Sequence, residues 1–377
     1  MRLYAVFLFL INSLVLDAQV TNPYTGEILP FKNIGDYTVS PGNFNNYPAN
    51  YGLLNHLGKL NALPFITIEK DISNPWLVIL NGGPGRSNLR LSFELDSILK
   101  YYNVLIPGYR GIDDKTFEGY DNLDYDSLKM FVANHRKVFG SKNICDDIDM
   151  ITNVLNIDTI SILAHSFGTI ISEEFGTDYR NRVDTIFAFS PVDSRKPYPS
   201  AKKLHLIIDS ISIQLGYNSD VILKKIEKLS KGVTSSSYFY MGIISSFYTK
   251  ENISNFITEI YENKLSYKDL ENRGERFVNQ KWLFDFGLKF CNLVPIDDKS
   301  DDVCDRIAKG FKAIVDQYVI DKGCPEKASN IDELPVKFYI PEYELFYCEI
   351  VNAEFVKCGC GHADLWKQAP KYIIYNR

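Results

Sequence analysis

Short apolar runs alternate with amphipathic stretches along the first half of the chain. Four of these runs are five to seven residues long and mostly apolar, as in strands that are buried on both faces of a sheet. Apolar positions at helical spacing lie between them, as in residues 145–155. This alternation predicts a mostly parallel, doubly wound α/β sheet. The four runs are residues 76–80, 103–107, 159–163 and 183–189.

The pattern changes from about residue 194 to residue 333, where helical periodicity dominates and no buried strand is evident. A strand pattern returns at residues 335–340 and again at residues 349–356. We therefore predict a sheet core in two parts, residues 19–193 and 334–377, with a helical cap at residues 194–333 inserted between its strands.

Two stretches of the first part have weaker patterns. Residues 20–60 are rich in Asn, Tyr, Gly and Pro, and we interpret them as an irregular segment. Residues 91–101 have helical spacing and predict a helix.

The first 18 residues resemble a secretory signal peptide. Arg2 precedes a mostly apolar run up to Leu16, and Ala18 is a small residue at a suitable cleavage point. We expect export to the periplasm or the extracellular space, with Gln19 as the first mature residue; a retained N-terminal anchor is the alternative. No later segment is apolar for eighteen residues, so no stable membrane association is expected after the signal is removed.

The composition limits the kinds of partner that the protein can bind and indicates its cellular compartment. An apolar content of 45% with 23% charged residues fits a folded protein, and a net charge of -6 with scattered basic residues argues against a nucleic-acid partner. The seven cysteines favour an exported protein. We expect Cys145 to be buried and free, and we predict a local disulfide between Cys291 and Cys304 among the six cysteines of the last third.

The segment Ala164-His165-Ser166-Phe167-Gly168 lies between an apolar run and a helical pattern. A small-x-Ser-x-Gly sequence at such a junction is typical of a nucleophile elbow, in which a sharp turn lifts the serine hydroxyl clear of the sheet. The flanking residues must be small because strand and helix pass close together. The motif makes Ser166 the candidate nucleophile, against the alternative of an ordinary turn.

A second loop, Asn81-Gly82-Gly83-Pro84-Gly85, follows the apolar run at residues 76–80. Three glycines and a proline keep the backbone open, so that bare N–H groups can point at a ligand. An acyl-transfer enzyme needs such donors for its oxyanion.

A nucleophilic serine needs a base and an orienting acid, and a sheet of this type supplies them in the order serine, acid, histidine. Of the five histidines, His362 is the one in a glycine-flanked loop after the last predicted strand. His165 is expected to pack locally. Glu344 is the favoured acid because it follows the next-to-last strand; Glu342 and Asp193 are the alternatives.

These motifs resemble the proline iminopeptidase and tripeptidyl-aminopeptidase branch of the α/β-hydrolases. Residues 81–85 are similar to that family's His-Gly-Gly-Pro-Gly, residues 108–111 to its Asp-x-Arg-Gly, and Gly361-His362 to its terminal histidine loop. Two departures are Asn81 in place of His and Glu344 in place of Asp. The resemblance implies that the backbone N–H groups of Gly83 and Phe167 form the oxyanion hole.

The resemblance also implies an activity. It suggests an exported serine aminopeptidase that releases N-terminal residues from peptides through an acyl-enzyme, with no metal or organic cofactor. Carboxylates of the cap would bind the free amine of the peptide, although no cap motif identifies them. A lipase or esterase with the same triad is the first alternative, and a catalytically inactive binding protein on this fold is the second.

Overall fold

The computed structural model describes ten segments of the chain. The predicted signal segment at residues 1–18 lies outside them, as do Cys291, Cys324 and Cys348. The described residues are 32–34, 37–54, 62–116, 125–193, 196–231, 237–278, 286, 302–318, 334–346 and 354–375.

A single mixed sheet of ten strands forms the centre of the described residues. Its order is β1-β2-β3-β4-β6-β5-β7-β8-β9-β10. Strands β1 to β4 pair antiparallel with their neighbours, and β5 to β10 run parallel. The strands are β1 (Lys32–Ile34), β2 (Tyr37–Phe44), β3 (Tyr47–Leu54), β4 (Leu63–Ile68), β5 (Trp76–Leu80), β6 (Asn103–Pro107), β7 (Ile160–His165), β8 (Val183–Phe189), β9 (Val336–Tyr343) and β10 (Glu354–Gly361).

The central parallel strands are buried on both faces. In β5, Leu77 and Ile79 pack into one apolar cluster while Val78 and Leu80 pack into another, because successive side chains point to opposite faces of a strand. This explains why these strands read as continuous apolar runs rather than as alternating ones. The predicted α/β class with a mostly parallel sheet is confirmed.

Ten α-helices connect and cover the described strands. Six of them, α4 to α9, lie between β8 and β9, and the described residues of that segment form no strand of the sheet. Residues 194–195 and 319–333, at the two predicted ends of the cap, lie outside the described residues, so the exact extent of the cap stays a prediction. The helices are α1 (Tyr125–Phe139), α2 (Ser141–Val154), α3 (Phe167–Asp178), α4 (Ala201–Gln214), α5 (Ser219–Ser230), α6 (Ser237–Ser245), α7 (Lys250–Tyr261), α8 (Tyr267–Phe277), α9 (Val303–Tyr318) and α10 (His362–Tyr375).

The interpretation of residues 20–60 as irregular was wrong for the part that is described. Strands β2 and β3 form a long antiparallel hairpin whose two turn residues, Asn45 and Asn46, have φ values of 47° and 70°. A two-residue turn with both φ values positive suits the right-handed twist of a hairpin, and Asn tolerates it. Asn, Gly and Pro residues within the two strands obscured the alternation of apolar and polar side chains that predicts a strand. The Asn-Asn pair was the sequence signal for the hairpin turn.

Residues 91–101 do not form the predicted helix. They make isolated turns, such as the bond from the Leu99 N–H to the Leu95 carbonyl at 2.8 Å. Leu95, Ile98 and Leu99 are nevertheless buried against the sheet. The periodicity therefore identified the buried face, but not a continuous hydrogen-bonded helix.

Helix α8 was not predicted because its sequence is strongly polar and buries only Leu270 and Gly274. Its start carries a full capping box between Ser266 and Asp269, which is a sequence signal for a helix N-terminus. No helix within the described residues is both long and apolar enough to cross a membrane.

Candidate active site

Ser166 lies in a sharp turn between β7 and α3. Its φ and ψ are 50° and -118°, a conformation that side chains other than glycine rarely adopt, and its N–H donates to the Phe189 carbonyl at 3.0 Å. A Cβ at Gly168 would lie 2.3 Å from the Leu80 oxygen, and one at Gly82 would lie 2.6 Å from the Ser166 Cβ. Glycine is therefore required at residue 168, where α3 passes close to the end of β5, and at residue 82, which packs against Ser166.

A continuous series of hydrogen bonds joins Ser166, His362 and Glu344. The Ser166 hydroxyl oxygen lies 2.8 Å from Nε2 of His362, and Nδ1 of the same ring lies 2.8 Å and 3.0 Å from the two carboxylate oxygens of Glu344. With the proton on Nδ1 shared with the carboxylate, Nε2 accepts from the serine hydroxyl. The hydroxyl, the imidazole and the carboxylate thus have the relative geometry that acyl-transfer chemistry needs.

The sheet brings these three residues together. Ser166 directly follows β7, Glu344 directly follows β9, and His362 directly follows β10. Because the three strands are parallel, their carboxyl ends lie at one edge of the sheet. The chain order is serine, acid, histidine, and the serine stands in a strand-to-helix turn. The protein has the α/β-hydrolase fold.

Glu344 is buried, with 3% of its surface exposed. Burial acts to raise the pKa of its carboxyl group. The opposing effect of His362, through its charge and its hydrogen bond, is reinforced by the nearby Lys203 and by the Phe346 N–H. Together these groups outweigh burial, so the pKa is lowered. The Phe346 N–H donates to Oε1 at 3.0 Å. The carboxylate form, which can orient His362, is therefore the one that this environment favours.

The two alternative acids lie elsewhere. Glu342 is exposed, and its carboxylate accepts the N–H of Gly359 at 3.1 Å. Asp193 lies beyond β8, and its backbone carbonyl accepts the Lys196 N–H. Among the described carboxylates, Glu344 is the one hydrogen-bonded to the His362 ring.

The first turn of α10 fixes the backbone around His362. The carbonyl of His362 accepts from Nε2 of His165 at 3.1 Å and from the Ser190 hydroxyl at 2.9 Å. The Asp364 carboxylate accepts the N–H groups of Gly361 and Lys250, at 3.1 Å and 2.8 Å. Asp364 was not singled out from the sequence, although an acid in the first turn of a helix is a typical N-terminal signal.

His165 packs locally. Its ring stacks on Trp366 with centroids 5.0 Å apart. Burial, together with the nearby His362, lowers the pKa of His165 to about 3, so the ring is neutral near neutral pH. It donates through Nε2 to the His362 carbonyl, which requires the proton on that nitrogen. His165 is thus a neutral support beneath the candidate base.

The predicted oxyanion residues border the same cavity as Ser166. Gly83 and Phe167 both line it, and Gly83 has a φ of 91°, in the region that favours glycine. Gly83 follows β5 by three positions, and Phe167 is the first residue of α3. Their backbones therefore flank the serine from two neighbouring strands.

Asn81, at the position where the resemblance has His, holds the glycine-rich loop. Its amide nitrogen donates to the carbonyls of Asn88 and Arg90 at 2.8 Å and 2.9 Å, and its amide oxygen accepts Nε1 of Trp366 at 3.1 Å. Asn88 in turn donates to the carbonyls of two strands, β5 and β6. The roles of Asn88 and Trp366 were missed because their partners are distant in sequence.

Arg110, in the second motif of the resemblance, joins the end of β6 to α2. Its Nε donates to the Asp147 carboxylate at 2.8 Å, and Nη1 donates to the Val138 carbonyl at 2.9 Å. Both charged groups are buried. This motif therefore contributes a buried structural ion pair.

A cavity of about 370 Å³ opens onto Ser166. Among its described lining residues Arg86 is charged at neutral pH and no carboxylate is found; Ser245, Thr249 and Asn252 add further polar groups. Helices α6 to α9 and the loops beside them contribute much of this lining. Its aromatic residues are Phe167, Tyr248, Phe277, Phe286, Phe311 and Phe346.

The cysteines differ in part from expectation. Cys145 is a buried thiol outside any disulfide, as predicted. The predicted bridge between Cys291 and Cys304 was wrong, because Cys304 is a free thiol buried within α9. Cys358 and Cys360 form a disulfide immediately before Gly361 and His362.

Three ligand-type side chains, His205, Asp302 and Cys304, lie with their donor atoms within 4.8 Å of one another. Asp302 already accepts from His205 and from the N–H groups of Cys304 and Asp305 at the start of α9. Helix capping thus accounts for this arrangement, and none of its members lines the cavity beside Ser166.

No protein-family model and no curated protein sequence matches the chain. Several solved structures are similar in outline. A serine hydrolase from Cycloclasticus zankles is 12% identical with a TM-score of 0.39, covering 90% of this chain and 95% of its own. The 2-hydroxy-6-oxo-6-phenylhexa-2,4-dienoate hydrolase of Rhodococcus sp. strain RHA1 is 15% identical, with a TM-score of 0.40 and coverages of 85% and 93%.

A hydrolase from Oleispira antarctica is 13% identical, with a TM-score of 0.40 and coverages of 80% of this chain and 91% of its own.

Proposed function

We propose that the protein is a serine hydrolase that cleaves carboxylic esters with an apolar acyl or alcohol group. The hydrogen-bonded series from Ser166 through His362 to Glu344 carries this proposal. Each group in the series has the partner that its role requires, and the serine lines a cavity of about 370 Å³.

The mechanism follows from the proton positions. The Ser166 oxygen attacks the substrate carbonyl carbon, and its proton passes to Nε2 of His362. Glu344 stabilises the resulting imidazolium, and the N–H groups of Gly83 and Phe167 donate to the oxyanion. His362 then gives the proton to the departing alcohol, which leaves an acyl-enzyme. Water, deprotonated by His362, releases the acid and restores Ser166.

The cavity supports an ester substrate. Its aromatic walls suit an apolar group, and its volume of about 370 Å³ is within the range of small-molecule sites. The peptidases that the sequence resembles hold a free amine with carboxylates. The described walls of this cavity have none and instead carry Arg86, which would repel an ammonium group.

N-terminal peptide hydrolysis is the second candidate. It is supported by the four sequence motifs at residues 81–85, 108–111, 164–168 and 361–362. The same series of hydrogen bonds would serve it, since esters and amides pass through the same type of tetrahedral intermediate.

The deciding experiment compares p-nitrophenyl hexanoate with a panel of p-nitroanilides of free amino acids, using wild-type protein and Ser166→Ala as the control. We expect turnover of the ester that Ser166→Ala abolishes, and little turnover of the anilides. Efficient anilide turnover with poor ester turnover would reverse the order of the two candidates.

A fluorophosphonate probe tests the third possibility, an inactive binding protein. Because the probe reacts with activated serines, covalent labelling at Ser166 that is lost in His362→Ala supports the hydrolase. Folded wild-type protein that remains unlabelled would favour the binding protein.

We also propose export with cleavage after Ala18. The N-terminal pattern, the seven cysteines and the disulfide between Cys358 and Cys360 support it. Expression in a bacterial host and N-terminal sequencing of the periplasmic fraction should give a chain that begins at Gln19; full-length protein in the cytoplasm would argue against export.

A further inference from the structure

A second cavity adjoins the one that contains Ser166. It measures about 590 Å³, and the two cavities share Pro84, Arg86, Ser245 and Phe277 in their linings. We call this second cavity the vestibule. Because it shares four lining residues with the first, a ligand with its carbonyl at Ser166 can extend into it.

The vestibule is cationic. Its described lining contains Arg86, Arg273 and Arg276 and no carboxylate. This concentration of positive charge contrasts with the net charge of -6 of the whole chain. Like charges held around one cavity repel one another, so their grouping favours an anion between them.

Two different elements supply the three arginines. Arg86 follows the glycine-rich loop after β5, and the other two lie three positions apart on α8, a spacing that puts side chains on adjacent parts of one helix surface. The vestibule therefore spans the junction between the sheet and the helices that follow β8.

Internal partners leave much of this charge uncompensated. Arg273 pairs with Glu259 at 2.9 Å. The Arg276 Nε donates to a backbone carbonyl, that of Asn272, and its side chain is exposed. Neither Arg276 nor Arg86 forms an ion pair with a described residue.

None of the acids of α8 is among the described residues that line the vestibule. Asp269 accepts from the N–H and the hydroxyl of Ser266. Glu271 accepts from Tyr267 and Lys268, and neither it nor Glu275 lines the cavity.

We propose that the vestibule binds an anionic group of the substrate, so that the enzyme prefers esters in which a carboxylate or phosphate lies on the far side of the scissile bond from the apolar group. This inference rests on the proposed hydrolase function for its consequence in turnover. Guanidinium groups form paired, charge-assisted hydrogen bonds with both anions.

The test uses a matched set of substrates. 4-Hexanoyloxybenzoate carries a carboxylate on the leaving group, its methyl ester is the neutral equivalent, and 4-hexanoyloxyphenyl phosphate carries the second anion. We expect wild-type protein to show a kcat/KM at least about tenfold higher for an anionic member than for the neutral one. The member with the larger preference identifies the anion.

Arg276→Ala should lower the ratio of anionic to neutral kcat/KM about tenfold, and Arg276→Lys should restore part of it. Arg90→Ala is the matched control, because Arg90 is an exposed arginine near the same loop that lines neither cavity. The preference should also shrink at high salt. The vestibule proposal would be overturned if wild type had a ratio near one, or if Arg276→Ala had the same ratio as wild type. Ser166-dependent turnover of the neutral ester would still support the hydrolase proposal in either case.

A binding measurement without turnover tests the vestibule proposal independently of the hydrolase proposal. Calorimetry with Ser166→Ala should show tighter binding of 4-hexanoyloxybenzoate than of its methyl ester, and Arg276→Ala in the same background should remove the difference. This result would support the vestibule even if wild-type protein hydrolysed none of the esters. Equal binding of the two compounds would refute it.

Discussion

The carboxylate of Glu344 meets Nδ1 of His362 with both of its oxygens, at 2.8 Å and 3.0 Å. Both side chains are buried, so water does not compete for this contact. The acid and the imidazole each stand one residue beyond their strands, β9 and β10, which are neighbours in the sheet. Pairing of the two strands therefore sets the pairing of the two side chains.

Glu344→Gln should lower kcat for ester hydrolysis by about 10⁴-fold. The amide keeps the shape of the side chain but removes the negative charge that stabilises the imidazolium and fixes its tautomer. Steady-state kinetics on p-nitrophenyl hexanoate would measure the loss.

Glu342→Gln and Asp193→Asn are the matched controls for this experiment. Glu342 is exposed and accepts the Gly359 N–H. The His362 ring is hydrogen-bonded to Glu344 and Ser166 rather than to Asp193, so each variant should retain activity near that of wild type. If Asp193→Asn were inactive and Glu344→Gln active, the assignment of the acid would have to move to Asp193.

Ser166→Ala and His362→Ala should each lower kcat by about 10⁶-fold, with the double variant little worse than either single one. Residues that act as one unit are strongly non-additive, because losing one member already disables the others. Kinetics of the three variants, with thermal melts to confirm folding, make the comparison. Additive losses in the double variant would show that the two side chains act independently.

Gly168→Ala should destabilise the protein by about 3 kcal/mol. The added methyl group would lie 2.3 Å from the backbone oxygen of Leu80, a contact that no rotamer change relieves. Urea denaturation measures the free energy of unfolding.

Gly216→Ala is the comparison for Gly168→Ala. Gly216 has a φ of 75° but no heavy atom within 4 Å of an added Cβ, so only backbone strain of about 1–2 kcal/mol is expected. Equal costs at the two positions would contradict the close approach of β5 and α3 as the reason for glycine at residue 168.

His165 should make stability fall with acid. Its pKa is about 3 in the folded protein against an ordinary value of 6.5, so the unfolded chain binds the proton more readily. The stabilisation is complete above pH 6.5 and is lost as the pH falls towards 3. Between pH 7 and pH 5 this should remove about 2 kcal/mol from the free energy of unfolding.

Urea denaturation of wild type and His165→Gln at several pH values isolates this effect. The variant has no group that titrates at this position, so its stability should vary less over the same range. Staying above pH 5 avoids the lower window in which protonation of Glu344 also costs stability, since its pKa is lowered. Parallel curves for the two proteins would show that His165 is not the source.

Much of the site was predictable because it depends on where strands end. Ser166, Glu344 and His362 each follow a strand that is visible as an apolar run or short β pattern, and the carboxyl ends of parallel strands share an edge. The order of the three residues along the chain, and their positions after predicted strands, were therefore sufficient to predict that they lie close together at this edge.

The supporting contacts were not predictable in this way. Trp366 and Asn81 are 285 positions apart, and nothing in either local sequence indicates that their side chains meet. The cavity walls come from several separate helices, so their charge emerges only after folding. For this reason the sequence motifs resemble those of a peptidase, whereas the described walls carry aromatic side chains and arginines and no carboxylate.

The helices between β8 and β9 separate the two halves of the site along the chain. A single cut in that segment would leave Ser166 on one fragment and both Glu344 and His362 on the other. The β8–β9 ladder, with Phe187 opposite Lys337 and Phe189 opposite Tyr339, would remain to rejoin them. The protein is thus suited to fragment complementation: neither piece alone would hydrolyse substrate, and restored turnover would report their reassembly.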